Sequence, residues 1–170
     1  MKRPTIFLDI DGVLATDKQF FMSRARYHGK SPVAAELGVP YPFDPGCVDK
    51  LNQILRDTGA RIVLSSDWRL HWSLSDMALI FRMNGVESVP YDATTNLPMA
   101  NLEMARAAEI GDYVSENGLT DFVVIDDLNV GKFMARTGEQ DKFFMTRSSE
   151  GLKQVGLAGK IARRILAFRG

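Results

Sequence analysis

The chain of 170 residues is 45% hydrophobic and 25% charged, which suits one domain of ordinary globular composition over residues 1–170. Its 21 Lys and Arg balance 21 Asp and Glu, so the charge favours neither a long nucleic-acid footprint nor an anionic membrane as partner. The single cysteine, Cys47, excludes an internal disulfide, and no run approaches the roughly 20 apolar residues of a membrane span. We therefore predict a cytoplasmic protein without membrane contact, and the sequence does not indicate an oligomeric state.

The first predicted element is a strand at residues 5–8, a short apolar run near the N-terminus. Residues 15–43 come next, rich in aromatic rings, cations and prolines, and we interpret them as a small insertion (a flap or minimal cap) after strand 1. Asp44 is a predicted helix N-cap and Gly59 a predicted helix end. A second strand is predicted at residues 61–64.

In the middle of the chain, the residue pattern predicts helices at residues 74–84 and 101–116, each followed by a glycine within two residues. Between them, residues 86–89 are a weaker strand candidate. A further strand is predicted at residues 122–125. The main strand runs are continuously apolar rather than alternating, which is typical of parallel strands buried on both faces.

The C-terminal part predicts a strand at residues 142–146 and a helix at residues 157–168. Alternating strands and helices predict an α/β fold, with a three-layer, Rossmann-like, mostly parallel sheet. Such sheets bind ligands at the carboxyl ends of their strands. Three of the strand runs end directly in polar residues, which places a predicted site at Asp9, Ser65 and Asp126.

Two pairs of carboxylates lie at these strand ends. Asp9 and Asp11 precede Gly12, which permits a turn, and Asp126 is followed by Asp127. Each pair alone is also compatible with a solvated turn or a helix cap. Together, four carboxylates at one sheet edge favour a cation with oxygen ligands, most simply Mg²⁺. Their repulsion predicts that Asp126→Ala stabilises the metal-free protein.

A phosphate-binding function is indicated at the end of the second strand. The hydroxyl and backbone N–H of Ser65, at a strand-to-helix junction, are suited to a phosphate oxygen. Arg106 and Lys132 are candidate cations for the same phosphate, although each is also compatible with a solvated helix surface.

Three segments in order resemble motifs of the haloacid dehalogenase (HAD) superfamily. Residues 6–13 (IFLDIDGV) resemble its first motif, residues 62–65 (IVLS) its second, and residues 124–127 (VIDD) its fourth. The resemblance covers the strand cores from residue 5 to about residue 130, and implies a HAD-like fold.

A closer resemblance runs from residue 43 to residue 69. This stretch is similar to a group of small HAD proteins related to RNA-repair phosphatase domains, although Asp67 stands where that group usually has a serine. Residues 106–110 (RAAEI) resemble the start of the group's helix before the fourth motif. Arg106 is therefore the first choice for the phosphate-binding cation, and Lys132 the second.

The resemblance implies an Mg²⁺-dependent phosphatase. Asp9 would attack phosphorus and form an aspartyl-phosphate, while Asp11 would protonate the leaving oxygen and then activate water. The metal would be held by Asp9, Asp11 (through its backbone carbonyl) and Asp126, with Asp127 either binding it directly or supporting its ligands. The phosphate would be held by Ser65, Ser66 and Arg106 or Lys132.

The substrate is expected to be a phosphorylated small molecule, a nucleotide or a nucleic-acid end. Aromatic rings and cations of the insertion suit a ligand bearing a flat group. The residues predicted to select it are Arg24, Arg26, Tyr27 and Arg69.

Other functions share parts of this pattern. A receiver-type signalling module also forms an aspartyl-phosphate. In such modules, however, the acidic pair lies on strand 1 and the phosphorylated aspartate lies on a later strand, which is not the order in this sequence. A noncatalytic binding protein of HAD-like fold, a phosphotransferase and a small-metabolite phosphatase stay open. The first motif of dehalogenases lacks the second aspartate, so the presence of Asp11 argues against a dehalogenase.

Overall fold

The computed structural model describes residues 3–19 and 43–169. Within these ranges, parallel strands form a five-stranded sheet with the order β3-β2-β1-β4-β5. In chain order the strands are β1 (Thr5–Leu8), β2 (Arg61–Leu64), β3 (Asp92–Ala93), β4 (Phe122–Asp126) and β5 (Phe143–Met145). The predicted α/β fold with a parallel sheet is confirmed, including the strand expected at 142–146. That the chain forms a single domain stays a prediction.

Helices connect the strands. They are α1 (Pro45–Thr58), α2 (Leu74–Met83), α3 (Leu102–Asn117), α4 (Gly131–Met134) and α5 (Leu157–Leu166). A short 3-10 helix, Asp67–Leu70, comes soon after β2. No helix in the described part of the chain is both long and apolar enough to cross a membrane.

The sheet is covered on both faces. Alternate residues of β1 point to opposite sides: Ile6 and Leu8 belong to one apolar cluster, and Phe7 to the other. Phe7 meets Tyr113 and Phe122 edge-on, with ring centroids 5.5 and 5.7 Å apart. The central strands β1 and β4 are buried at every residue, and this accounts for their continuous apolar runs in the sequence.

The strand register places the carboxyl ends of β1, β2 and β4 next to one another at the same edge of the sheet. Leu8 of β1 pairs with Leu64 of β2 on one side and with Ile125 of β4 on the other. The residues immediately after these three partners therefore lie side by side at the carboxyl edge of the sheet. They are Asp9, Ser65 and Asp126.

The predicted boundaries of α1 are confirmed. The Asp44 carboxylate accepts hydrogen bonds from the backbone N–H groups of Gly46 and Cys47, at 2.9 and 3.4 Å. The helix ends at Gly59, whose φ of 61° is the left-handed conformation that favours glycine. The other predicted helices lie within two residues of their observed bounds.

The strand predicted at residues 86–89 is wrong, since β3 lies later, at Asp92–Ala93. Val86 is buried because it closes the end of α2, where its N–H donates to the carbonyl of Phe81 at 3.0 Å. An apolar residue just past a helix end packs back onto the helix. The apolar character of this segment therefore reflects helix capping rather than sheet pairing.

The predicted insertion at residues 15–43 falls mostly outside the described residues. Residues 20–42 are not described, and these include the predicted substrate-selecting residues Arg24, Arg26 and Tyr27. The flap assignment therefore stays a prediction.

Gly111 within α3 and Gly118 just after it offer a matched test of how backbone conformation determines the stability of the helix. Gly111 lies in the middle of α3 with open space around the position of a Cβ, so Gly111→Ala should stabilise the protein by about 0.5–1 kcal/mol. Gly118 also has open space but caps the helix with φ +55°, so Gly118→Ala should destabilise it by about 1 kcal/mol. Urea unfolding of the two variants measures both, and effects of the same sign would contradict this account of α3.

Candidate active site

Asp9 lies at the centre of the carboxyl edge. It is 5% exposed, and its backbone N–H donates to the carbonyl of Ile125 at 3.0 Å, which fixes the chain directly after β1. Burial, followed by the charge of Asp126, raises the pKa of Asp9 well above its usual range, against the opposing effects of Arg106 and Ser66. The environment thus favours ionised Asp9 only when a further cation is close.

A second carboxylate pair completes a cluster with Asp9. One carboxylate oxygen from each of Asp9, Asp126 and Asp127 lies within 4.8 Å of the other two. Burial raises the pKa of Asp126, and burial together with the charges of Asp126 and Asp11 raises the pKa of Asp127 to about 6. Closely spaced oxygen donors with an excess of negative charge fit a hard divalent cation.

Gly12 permits the close approach of the two motifs. It has φ +70°, and a Cβ at this position would lie 2.2 Å from Oδ2 of Asp127. The backbone carbonyl of Gly12 accepts a hydrogen bond of 2.9 Å from the hydroxyl of Thr146. A side chain at residue 12 would therefore push the turn after β1 away from the end of β4.

Arg106 provides positive charge at the cluster. It projects from α3, and its side chain is 5% exposed. Nη1 lies 2.8 Å from Asp126 Oδ2 and 3.3 Å from Asp9 Oδ1, while Nη2 lies 2.9 Å from Asp67 Oδ1. Burial alone would lower the pKa of Arg106, but the three carboxylates outweigh it and raise the pKa. The guanidinium is therefore firmly charged.

Lys132, the second candidate cation, lies elsewhere. Its ammonium pairs with Glu103, and its side chain is about half exposed. Of the two cations considered from the sequence, Arg106 is the one that contacts the strand-end carboxylates.

The contacts of Asp126 argue against the prediction that Asp126→Ala stabilises the metal-free protein. Asp126 is fully buried, and it accepts hydrogen bonds from Arg106 at 2.8 Å and from the backbone N–H of Leu128 at 2.9 Å. Removing it would leave two buried donors without these acceptors, which is costly. Asp127 also has a raised pKa, of about 6, so its charge is not fully compensated either.

The two serines of the second motif have different environments. Ser65 is fully buried, and its hydroxyl has no hydrogen-bond partner among the described residues. The hydroxyl of Ser66 accepts from the backbone N–H of Trp68 at 3.5 Å, and a hydrogen bond with Ser66 lowers the pKa of Asp9. Ser66 therefore touches the carboxylate cluster, whereas the buried hydroxyl of Ser65 has no such contact among the described residues.

A contact between Trp68 and Asp11 was missed from the sequence. The indole Nε1–H of Trp68 donates to Oδ2 of Asp11 at 3.0 Å, and the ring is buried near Phe43, with centroids 5.9 Å apart. A buried tryptophan needs a partner for its N–H, and this was the signal available. The contact fixes the direction of the Asp11 carboxylate.

Arg69, predicted to select substrate, is instead committed to the protein. Its side chain is 5% exposed, and its hydrogen bonds of 2.6–3.3 Å account for all five N–H groups of a guanidinium. No donor is left for a ligand, so Arg69 holds the site together. The acceptors are the backbone carbonyls of Ser65, Ser66, Thr94 and Thr95 and the carboxylate of Glu109.

Two cavities flank α3. An apolar cavity of about 370 Å³ lies between α3 and α4, and none of the predicted site residues lines it. A smaller cavity of about 140 Å³ lies on the other side, and Asp67 and Arg106 form part of its wall. The smaller cavity is the one adjoining the carboxylate cluster.

Comparison with known proteins supports this arrangement. A model of the family described as "HAD domain in Swiss Army Knife RNA repair proteins" matches residues 5–156. The search of curated proteins and the search of solved structures both give no match. The matched region contains all five strands and every residue of the carboxylate cluster. The chain therefore belongs to the family of HAD domains found in Swiss Army Knife RNA repair proteins.

Proposed function

We propose that this protein is an Mg²⁺-dependent phosphomonoester hydrolase that works through an aspartyl-phosphate on Asp9. Family membership supports a HAD-type phosphatase or hydrolase in general. The observation that carries the finer proposal is the setting of Asp9. Its carboxylate shares a cluster with Asp126 and Asp127, and it lies 3.3 Å from Arg106 at the end of a buried strand.

The reaction divides into two displacements. In the first, a carboxylate oxygen of Asp9 bonds to phosphorus, the bond from phosphorus to the leaving oxygen breaks, and Asp11 gives that oxygen a proton. In the second, a water molecule loses a proton to Asp11 and attacks phosphorus, which releases Asp9 and inorganic phosphate. The hydrogen bond from Trp68 at 3.0 Å supports a fixed orientation of Asp11 in both.

Mg²⁺ is the expected metal, since HAD proteins generally use it and the three clustered carboxylates suit it. Asp9, Asp126 and Asp127 would hold it, with the backbone carbonyl of Asp11 as the resemblance implies. Bound there, the ion would neutralise charge on the phosphoryl oxygens. It would also offset the burial that raises the pKa of Asp9.

Ser65 and Arg106 are proposed to hold the other phosphoryl oxygens. The buried hydroxyl of Ser65 has no hydrogen-bond partner in the described residues, so a ligand oxygen would satisfy it. Arg106 places a charged, planar donor group next to Asp9. Phosphoryl transfer requires mainly positioning and charge neutralisation, which these groups supply.

For the substrate we propose a nucleotide or a phosphorylated nucleic-acid end, ahead of a small phosphorylated metabolite. The occurrence of this domain family in RNA repair proteins supports this choice. The test is release of phosphate from an aryl phosphate, mononucleotides, and oligonucleotides with a 5′- or 3′-phosphate. Transfer to an acceptor without free phosphate would favour a phosphotransferase instead, and a cytoplasmic location stays a prediction.

Asp9→Asn should reduce phosphate release by about three orders of magnitude or more, because the amide keeps the shape but removes the nucleophilic oxygen. The fold should survive, since Arg106 keeps its contacts with Asp126 and Asp67. Steady-state kinetics with an aryl phosphate measures the loss, and circular dichroism checks the fold. Asp49→Asn, the same change on an exposed position of α1, is the control and should keep full activity. Comparable rates for the two folded variants would exclude Asp9 as the nucleophile.

Asp127→Asn and Asp126→Asn should change stability in opposite directions in chelator at neutral pH. Asp127 has a pKa raised to about 6, so the folded state of the wild type is penalised when this group ionises. Its replacement should stabilise by on the order of 1–2 kcal/mol, less than the full shift because solvent screens a partly buried group. Asp126→Asn weakens a buried ion pair with Arg106 and should destabilise.

The gain from Asp127→Asn has a definite pH dependence. It should be absent near pH 4, grow between about pH 4 and pH 6, where Asp127 of the wild type ionises in the unfolded state but not yet in the folded state, and stay constant above. Thermal unfolding over this range measures it. Added Mg²⁺ should stabilise the wild type more than either variant, because each variant lacks one ligand. A gain that is already complete at pH 4, or equal responses to Mg²⁺, would remove Asp127 from the cluster.

A further inference from the structure

Asp67 is the solvent-facing member of a buried group of charges. It begins the 3-10 helix after β2, and its Oδ1 lies 2.9 Å from Nη2 of Arg106 and 3.6 Å from Nη1 of Arg69. Its side chain is 57% exposed, whereas both arginine side chains are 5% exposed. Asp67 is therefore held by two buried cations while much of its own side chain faces water.

The donors of Arg106 are divided unequally among its partners. Nη1 is directed at Asp126 and Asp9, whose side chains are 0% and 6% exposed. Nη2 is directed at the exposed Asp67. The contacts of Nη1 lie inside the site, so Asp67 is the partner that a soluble anion can replace most easily.

Open space adjoins this pair. The cavity of about 140 Å³ beside α3 is lined by Asp67 and Arg106 together with apolar side chains, among them Leu70, Met99 and Leu102. A ligand beside Arg106, or the displaced carboxylate of Asp67, has room here without rearrangement of the sheet. The charged residues of the cavity wall are thus Arg106 and the two carboxylates Asp67 and Glu109, of which Glu109 is committed to Arg69.

We propose that Asp67 competes with the phosphate group for Nη2 of Arg106 and thereby lowers the affinity of the site for phosphate. This inference rests on the proposed function, because it concerns the same phosphate site. A carboxylate and a phosphate oxygen make the same charge-assisted hydrogen bond to a guanidinium, so only one can take each donor. Asp67 also repels a phosphate dianion, and both effects favour release of the product.

The opposite role is physically possible and gives the opposite result. If Asp67 served to position Arg106 for phosphate, its removal would weaken phosphate binding. If it competes, its removal strengthens binding. The sign of one measured change therefore decides between the two.

The experiment compares Asp67→Asn with the wild type. The amide keeps an acceptor for Arg106 but removes the charge, so the geometry is retained. Calorimetric titration with inorganic phosphate, in Mg²⁺ at low and at high salt, should give a dissociation constant about three- to tenfold lower for the variant. The difference should shrink at high salt, because Asp67 is exposed and screened. In turnover of an aryl phosphate, the inhibition constant of phosphate should fall by the same factor.

Asp112→Asn is the matched control. Asp112 is an exposed residue of α3, the helix that carries Arg106, and its loss changes the net charge by the same amount. It should leave phosphate affinity unchanged. Equal tightening by both variants would assign the effect to net charge and overturn the inference.

Unchanged or weaker phosphate binding in Asp67→Asn would also overturn the inference, as would absence of binding in both proteins. Calorimetry requires no turnover, which separates this outcome from failure of the proposed function. A wild type that binds phosphate but releases none from any phosphomonoester would contradict the proposed function. The calorimetric comparison would still decide the role of Asp67.

Discussion

The structure depends on placing a buried guanidinium against carboxylates at the carboxyl edge of a parallel sheet. Parallel strands in register bring Asp9 and Asp126 together whether or not their charges are compatible. Burial without compensation would be severely unfavourable for both. Nη1 of Arg106, 2.8 Å from Asp126 and 3.3 Å from Asp9, supplies the compensation from α3. The site is therefore complete only when α3 packs on the sheet and brings Arg106 to the two carboxylates.

A second buried ion pair holds Arg106 in this place. Glu109, one turn further along α3, accepts from Arg69 at 2.6 Å and lies 3.8 Å from Nε of Arg106. Its other oxygen accepts from the backbone N–H of Leu97 at 3.0 Å. Arg69 in turn binds carbonyls of the loops after β2 and β3. Two loops and one helix are thus joined through charged groups that water cannot reach, where hydrogen bonds are strong.

The features that could be predicted from the sequence are those that local pattern determines. Buried strands, the cap at Asp44 and the meeting of Asp9 with Asp126 depend on periodicity and on the parallel register. The pattern did not predict that Trp68 would donate to Asp11, or that every donor of Arg69 would bind the protein. Those contacts join segments far apart in the chain, and side-chain geometry at an irregular loop decides them. The false strand at 86–89 has a related origin, since an apolar residue packs equally well as a helix cap.

The position of the positive charge in the cluster bears on the proposed binding of both a metal and a phosphate. Arg106 contacts Asp9 and Asp126, and Asp127 lies beside Gly12. The pKa of Asp127, raised to about 6 by burial and by Asp126 and Asp11, shows that Arg106 does not fully compensate its charge. Asp9, Asp126 and Asp127 would together hold a divalent cation, and its charge would balance theirs. The attraction of Asp9 and Asp126 for Arg106 would then be weaker, because the cation would neutralise part of their charge. The guanidinium of Arg106 would therefore be more available to an incoming phosphate.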